Sequence, residues 1–193
     1  KSTRVLGCVE FILINNKISF NNYSITPLRK SDIQKIRIWR NDQMSILRQS
    51  TSLTSRNQLN YYNKFIKKSF QANKPNIILF SFLLDKTCIG YGGLVHIDWN
   101  SKSTEISFLN ITSRSKSKII YQKDFSIFLK LIFNVVFNDL KFNKITTETY
   151  DIRPWTIAIL EKSGFKRDKI LKKHIIIEDK PHDSILHSKL INT

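Results

Sequence analysis

The chain has 193 residues, 41% of them hydrophobic and 11% aromatic, which excludes a disordered polymer and allows one domain with a proper core. Its net charge of +17, from 32 Lys+Arg against 15 Asp+Glu, invites a polyanionic partner, yet the basic residues are spread along the chain and form no arm. No apolar run reaches the ~20 residues of a membrane span, so the expectation is a cytoplasmic protein with no span and no nucleic-acid partner. A phosphate-rich cofactor or substrate fits the surplus charge without being required by it. Abundant Ile, Lys and Asn are also what an AT-rich genome supplies.

In chain order, residues 4–20 read as a hairpin turning at Asn15-Asn16. The chain opens at Lys1 without Met, so residues 1–22 are expected to be a trimmed extension, an appendage or the tail of a preceding domain. Cys8 and Cys88 lie far apart with no metal-like spacing and read as reduced thiols. Tyr23–Leu28 is a strand. Ser31 then opens a helix with Ile33, Ile36 and Trp39 inward, ending near Arg40-Asn41-Asp42. A second helix, capped by Thr54 or Ser55, carries Leu59, Tyr62, Phe65, Ile66 and Phe70 on its buried side. The apolar run 77–84 reads as a strand buried on both faces. The next strand, 87–98, contains Gly90, Gly92 and Gly93, which mark a bulge or the close approach of a backbone or ligand. Residues 104–110 complete an antiparallel meander. A polar, basic connection over 112–123 leads to Asp124, read as the cap of a helix with Phe125, Phe128, Leu129, Ile132 and Phe133 on one face. Residues 144–150 form a strand and 154–163 a helix with Ile157 and Leu160 inward, and with Trp155 and Ile159 as further candidates for that face. Gly164 supplies its left-handed stop. Two strands over 169–177 and 182–190 finish the chain. Mixed helices and strands with a central meander give an α+β fold around one mostly antiparallel sheet.

Three runs carry a family likeness: Ile89-Gly90-Tyr91-Gly92-Gly93, then Thr104 to Leu109, and Ile157 to Phe165 with its Glu-Lys-x-Gly-Phe ending. Together with the element order from Tyr23 to Leu190, the chain resembles the GNAT superfamily of acyl-CoA-dependent N-acetyltransferases. Leu28-Arg29, Trp39 to Asp42 and the stretch from His174 to Ser184 are similar to the subgroup holding ribosomal-protein N-terminal acetyltransferases and nucleotide-aminosugar N-acetyltransferases. The resemblance implies a three-layer α/β/α domain over 23–193 and acetyl-CoA as co-substrate, with no metal. It implies acetyl transfer to a primary amine of a nucleotide-linked amino sugar, as in surface glycan assembly. The alternatives are acetylation of a protein N-terminus, or a non-catalytic binding module that keeps the fold. A homodimer, or fusion to a preceding domain, fits the same likeness.

Chemically, the reaction needs a base for the amine, donors for the thioester oxygen and a proton for the leaving thiolate. Glu105, the one acid seen in the central strands, is the candidate base. The expected tyrosine before Glu-Lys-x-Gly-Phe is replaced by Leu160, which leaves Tyr150, Tyr121 or a water as candidate acid. The resemblance places the backbone of Ser107, Phe108, Leu109 and Asn110 against the pantetheine. The family's pyrophosphate loop is rich in glycine; here the corresponding stretch has none. Side-chain charge from Arg114, Lys116, Lys118 and Lys123 is one replacement, and weakened or lost cofactor binding is the other. Arg153 stands where the family often has an Asn that touches CoA. Trp39, Arg40, Asn41, Tyr91, His96, Asp98 and Trp99 are the expected acceptor side, with arginine suited to phosphate and an aromatic ring to stacking. None of the histidines has metal-ligand spacing.

Overall fold

An unbroken apolar run and the strand-interior glycines organise the centre of the molecule. The structure, a computed structural model, describes residues 18–191; most of the hairpin expected over 4–20, with Cys8, lies outside them. In chain order the elements are β1 (Ser19–Phe20), β2 (Tyr23–Pro27), α1 (Ile33–Asp42), α2 (Ser55–Tyr61), β3 (Ile78–Leu84), β4 (Thr87–Asp98) and β5 (Ser103–Asn110). Then come α3 (Lys118–Phe133), β6 (Lys144–Tyr150), α4 (Pro154–Lys162), β7 (Lys166–Ile177) and β8 (Lys180–Leu190). The strands form one sheet in the order β1-β2-β3-β4-β5-β6-β8-β7. All neighbours are antiparallel except β5 and β6. This is the expected mixed, mostly antiparallel α+β architecture.

Strand alternation sends Ile78, Phe80 and Phe82 to one face, under α3 and α4, and Leu79 and Leu83 to the other, under α1 and α2. β3 is therefore buried on both sides, as its continuous apolar run requires. The glycines of β4 answer to neighbouring backbones. A Cβ on Gly92 would sit 2.2 Å from the Ser107 carbonyl oxygen and 2.8 Å from the Phe128 ring; one on Gly93 would sit 2.1 Å from the Ile78 carbonyl oxygen.

The parallel pair β5–β6 is short. Only Ser103, Thr104 and Glu105 pair with Lys144, Ile145 and Thr146. Beyond Glu105, β5 stays with β4 as far as Asn110, while β6 stays with β8 as far as Tyr150. A wedge opens between them. Ser107 and Leu109 turn their carbonyl groups toward β4, so alternation directs the backbone polar groups of Phe108 and Asn110 into the wedge.

Four local expectations are corrected. Asp124 does not cap α3: the helix begins at Lys118, and the Ser117 hydroxyl accepts from Ile120 N–H. The polar, basic connection over 112–123 holds a helical turn, Thr112–Ser115, and the first turns of α3. Asp32 and a tight turn over Lys30–Asp32, rather than Ser31, lead into α1. In α2, Thr54 forms a capping box with Asn57. A wide π turn over Tyr62–Ile66 follows. Tyr62 and Ile66 are buried as expected, but Gln58 and Ser69 share their side, while Leu59 and Phe65 are exposed.

Candidate active site

The fork of β5 and β6 gathers the charged groups. Glu105 is the last β5 residue paired with β6, and its partner there is Thr146. Partners in a sheet share a face, so alternation along β6 puts Glu148 and Tyr150 on the face of Glu105, the one covered by α1 and α2. Arg48, from the segment between α1 and α2, reaches over them. Its Nη2 lies 3.0 Å from Glu105 Oε1 and also donates to Glu148 Oε2. Burial works against the Arg48 charge, but Glu105 and Glu148 more than offset it and hold its pKa above the ordinary value. His96 Nε2 stands 4.0 Å from Glu105 Oε2, on an exposed side chain at the rim. His174 Nδ1 lies 3.4 Å from Glu148 Oε1. Tyr150 is buried beside Arg48; burial raises its phenol pKa, and Arg48 partly offsets the rise. A protonated phenol thus borders a carboxylate pair.

Arg48, Glu105, Glu148 and Tyr150 line a cavity of about 190 Å³ with Ser107, Phe108 and Leu160. Two further cavities continue from it. One of about 420 Å³ runs under α2, bounded by Tyr61, Tyr62 and Tyr91, and shares Arg40, Val95 and Ser107 with the first. The other, about 430 Å³, opens outward between Thr112–Lys116 and 152–156, and shares Ile46, Tyr121, Arg153 and Thr156. At that junction Arg153 Nη2 donates to Tyr121 Oη at 2.9 Å, and Tyr121 Oη is 2.9 Å from Thr156 Oγ1. A narrow centre with one passage for each of two reactants is the arrangement a group transfer needs.

The Trp39-Arg40-Asn41 run divides between structure and site. Trp39 is buried in the core beneath α1, which overturns its expected role as a stacking platform for substrate. Asn41 is corrected likewise: its amide holds both Leu53 N–H (2.8 Å) and Leu53 C=O (2.9 Å), and accepts from Gln49 Nε2 at 3.0 Å. It pins the segment that carries Arg48. Arg40 Nε donates to Gln49 Oε1 at 2.9 Å and its Nη1 to the buried Tyr91 Oη at 2.6 Å. Those partners are neutral, and among the described residues no carboxylate pairs with Arg40.

Arg114 is corrected as a phosphate ligand. Its Nε and Nη2 bond the two oxygens of Asp124 at 2.7 and 2.8 Å. Asp124 is fully buried and also accepts from Asn110 Nδ2 (3.2 Å) and the Tyr23 hydroxyl (3.4 Å). The amides of Arg114, Ser115 and Ser117 close turns within their own loop. Lys116 lines the outer cavity, and Lys118 lies further along, beside α4. Among the described residues no group of three His, Cys, Asp or Glu side chains could hold a metal. Cys88 is buried, and burial foremost, with Asp32 beside it, pushes its thiol up to about 11.

Sequence reasoning missed Arg48 and Glu148. Glu148 was available from strand parity, two residues before the candidate acid Tyr150. Arg48 carried no local signal; it stands in a segment without a motif.

The model of the acetyltransferase (GNAT) domain matches residues 25–186, most of the chain. The chain belongs to the GNAT acetyltransferase family. It is an acyl-CoA-dependent N-acyltransferase, with acetyl-CoA as co-substrate. Among solved structures it is similar to a spermidine N-acetyltransferase from Vibrio cholerae in complex with CoA and spermine. That likeness has 17% identity and a TM-score of 0.74, over 90% of this chain and 98% of that one. A dodecameric structure of the Vibrio cholerae enzyme gives 16% identity and a TM-score of 0.72, over 89% and 95%. A protein described as a probable acetyltransferase gives 17% and 0.68, over 91% and 96%. No curated protein matches the sequence. No described helix is long and apolar enough to cross a membrane.

Proposed function

We propose that this acetyltransferase acts on the primary amine of an acceptor that also carries an anionic group, of the nucleotide-linked amino-sugar kind. The observation behind this reading is Arg40: a half-buried guanidinium with neutral partners only, in the wall shared by the central cavity and the tyrosine-lined one. A half-buried charge without a counter-ion favours a ligand that brings one. The acceptor's anionic part would lie in the tyrosine cavity, with its amine toward Glu105. Acetyl-CoA supplies the thioester. Phe108 N–H faces the wedge and is placed to donate to the carbonyl oxygen as the amine nitrogen attacks. The C–N bond forms and the C–S bond breaks. Glu105 takes the proton from the amine, directly or through one water, and Tyr150 delivers a proton to the departing sulfur. Such a reaction belongs in the cytoplasm, where acetyl-CoA is made and used.

A polyamine acceptor is the second reading. The pair Glu105–Glu148 favours it, as does the activity named for the Vibrio cholerae neighbours. Acetylation of a protein N-terminus has no observation of its own here. The experiment offers UDP-aminosugars, spermidine and short peptides to the enzyme with acetyl-CoA, and reads free CoA. Saturable release with a UDP-aminosugar is expected, with Arg40→Gln raising its KM about ten-fold and sparing kcat. Faster turnover of spermidine, unaffected by Arg40→Gln, would overturn the anionic acceptor. Absence of acetyl-CoA binding by titration would reduce the chain to a binding module.

A further inference from the structure

The basic residues are spread along the sequence, but the acids are not. No Asp or Glu occurs between Asp42 and Asp85. Residues 28–84, which carry the helical layer of α1 and α2, hold eleven Lys and Arg against two Asp. Neither acid neutralises the outer surface. Asp32 is buried against Arg29, and Asp42 accepts from the Thr112 hydroxyl at 2.8 Å. Residues 118–162, which carry the opposite layer, hold seven Lys and Arg against five Asp and Glu. A lysine-rich composition therefore does not account for the asymmetry. Lys35 on α1, and Arg56, Lys64, Lys67 and Lys68 on the helical stretch 55–69, are exposed and meet no carboxylate among the described residues.

Apolar groups stand among these charges. With Gln58, Tyr62, Ile66 and Ser69 turned inward, Leu59, Tyr61 and Phe65 are left outside, and Phe65 is 51% exposed. The Phe65 ring has Tyr61 beside it at 5.3 Å and the Lys64 ammonium 6.0 Å from its centre. Ile38, 48% exposed, joins them from α1, which lies alongside: Gln34 Nε2 donates to the Ser55 carbonyl oxygen at 3.3 Å. On the opposite layer Trp155 is exposed too, not on the inner face of α4 where periodicity had offered it a place, but it borders the outer cavity. Ile38, Leu59 and Phe65 line none of the three cavities around the reaction centre. Neither the core nor the site requires them to be apolar. We propose that the outer face of α1 and α2 seats this enzyme on an anionic phospholipid surface, with the lysines at the phosphates and Leu59 and Phe65 among the uppermost acyl carbons. A helix face that mixes unpaired Lys and Arg with Leu and Phe gains from both the headgroup charge and the hydrocarbon. Ile38 and Leu59 are aliphatic. They add nothing to base stacking but enter hydrocarbon readily, which favours a bilayer over a nucleic acid. Tyr61, in the same helix, bounds the tyrosine-lined cavity, so that passage opens beside the docked face. Which amine is acetylated does not bear on this seat.

The test is flotation of the full chain with phosphatidylcholine vesicles and with vesicles in which about one lipid in three is phosphatidylglycerol. Wild type is expected to bind the anionic vesicles at least about ten-fold more tightly, and to let go as salt is raised. Lys64→Gln/Lys67→Gln/Lys68→Gln is expected to weaken that binding about a hundred-fold. Leu59→Ser/Phe65→Ser leaves every charge in place and is expected to weaken it about ten-fold. All five side chains are exposed, so both variants should keep the melting temperature of wild type. A wild type without preference for anionic vesicles, or a lysine variant that binds them as wild type does, would overturn the proposal. Undiminished binding by Leu59→Ser/Phe65→Ser would reduce the face to a general attractor of anions and overturn the seat on a bilayer. Tighter binding of a single-stranded oligonucleotide than of anionic vesicles, at equal phosphate, would overturn it in favour of a nucleic acid.

Discussion

Strand β5 carries an arginine–carboxylate centre at each end, and the two behave in opposite ways. At its C-terminal end Asp124 is fully buried, and its oxygens accept from Arg114, Asn110 and Tyr23. One carboxylate meets one guanidinium. Near its start, Arg48 meets two carboxylates, Glu105 and Glu148, and all three border a cavity. The first centre is balanced and closed, with no lone pair left for a proton or ligand. The second has surplus negative charge and access from outside. Residue type does not separate the two; charge balance and access do. A carboxylate in the open centre can take a proton from a substrate amine, while the closed one can only fix the loop before α3.

The largest effect should come from the open centre. Glu105→Gln keeps the shape and removes the base, so kcat is expected to fall about a thousand-fold, with little change in thermal stability. A rate near wild type at every pH would remove Glu105 from the chemistry. The closed centre should give the reverse. Asp124→Ala strands Arg114 and is expected to destabilise the fold by about 3 kcal/mol in chemical denaturation. Per folded molecule, its kcat should stay within a few-fold of wild type. If Asp124→Ala remained stable but inactive, the division between the centres would collapse.

The architecture was largely legible because periodicity reports burial. The double-faced β3, the meander and the helix ending at Gly164 all follow from spacing and turn residues. What escaped is long-range pairing. Asp124 looked like a cap because it precedes a run of aromatic residues, yet its partner, Arg114, lies ten residues earlier across a turn. Trp39 looked like a ligand platform because the run Trp39 to Asp42 resembles the aminosugar subgroup and a ring suits stacking, yet it fills the core under α1. Arg48 joins residues 57 and 100 positions away, and no local pattern encodes that. Of the candidate site residues, Glu105 and Tyr150 line one cavity, whereas Arg114 belongs to the closed centre.

A third pair tests whether the closed class is general. Arg29 Nε lies 2.6 Å from Asp32 Oδ2, and Ser81 Oγ donates to the same oxygen at 2.8 Å. Burial opposes ionisation of Asp32 most strongly, but the hydrogen bonds from Arg29 and Ser81 outweigh it and hold its pKa below 3.8. A depressed folded pKa means that the stabilisation is present above the unfolded value and is lost as pH falls through the folded one. Asp32→Asn should therefore cost about 2 kcal/mol at neutral pH. Its melting temperature should converge on that of wild type only as pH falls below 3.8, through the depressed pKa of Asp32. A gap independent of pH would mean that packing, not charge, holds the start of α1.

The smallest effect, and the most discriminating, should come from Arg48→Gln. If Arg48 were structural in the manner of Arg114, its loss would unfold the protein. Arg48 is half exposed, so water screens much of its pairing, and the melting temperature should move little. Its influence should appear in the reaction instead. Arg48 partly counters the upward shift that burial gives Tyr150. Without it the phenol should ionise at still higher pH, so the alkaline limb expected of the rate profile from Tyr150 should move further up. A stronger phenolic O–H bond also makes a poorer acid, so kcat should fall about ten-fold at neutral pH. An alkaline limb that stays in place while the rate falls would assign Arg48 to acceptor binding and leave the proton for the sulfur to another donor.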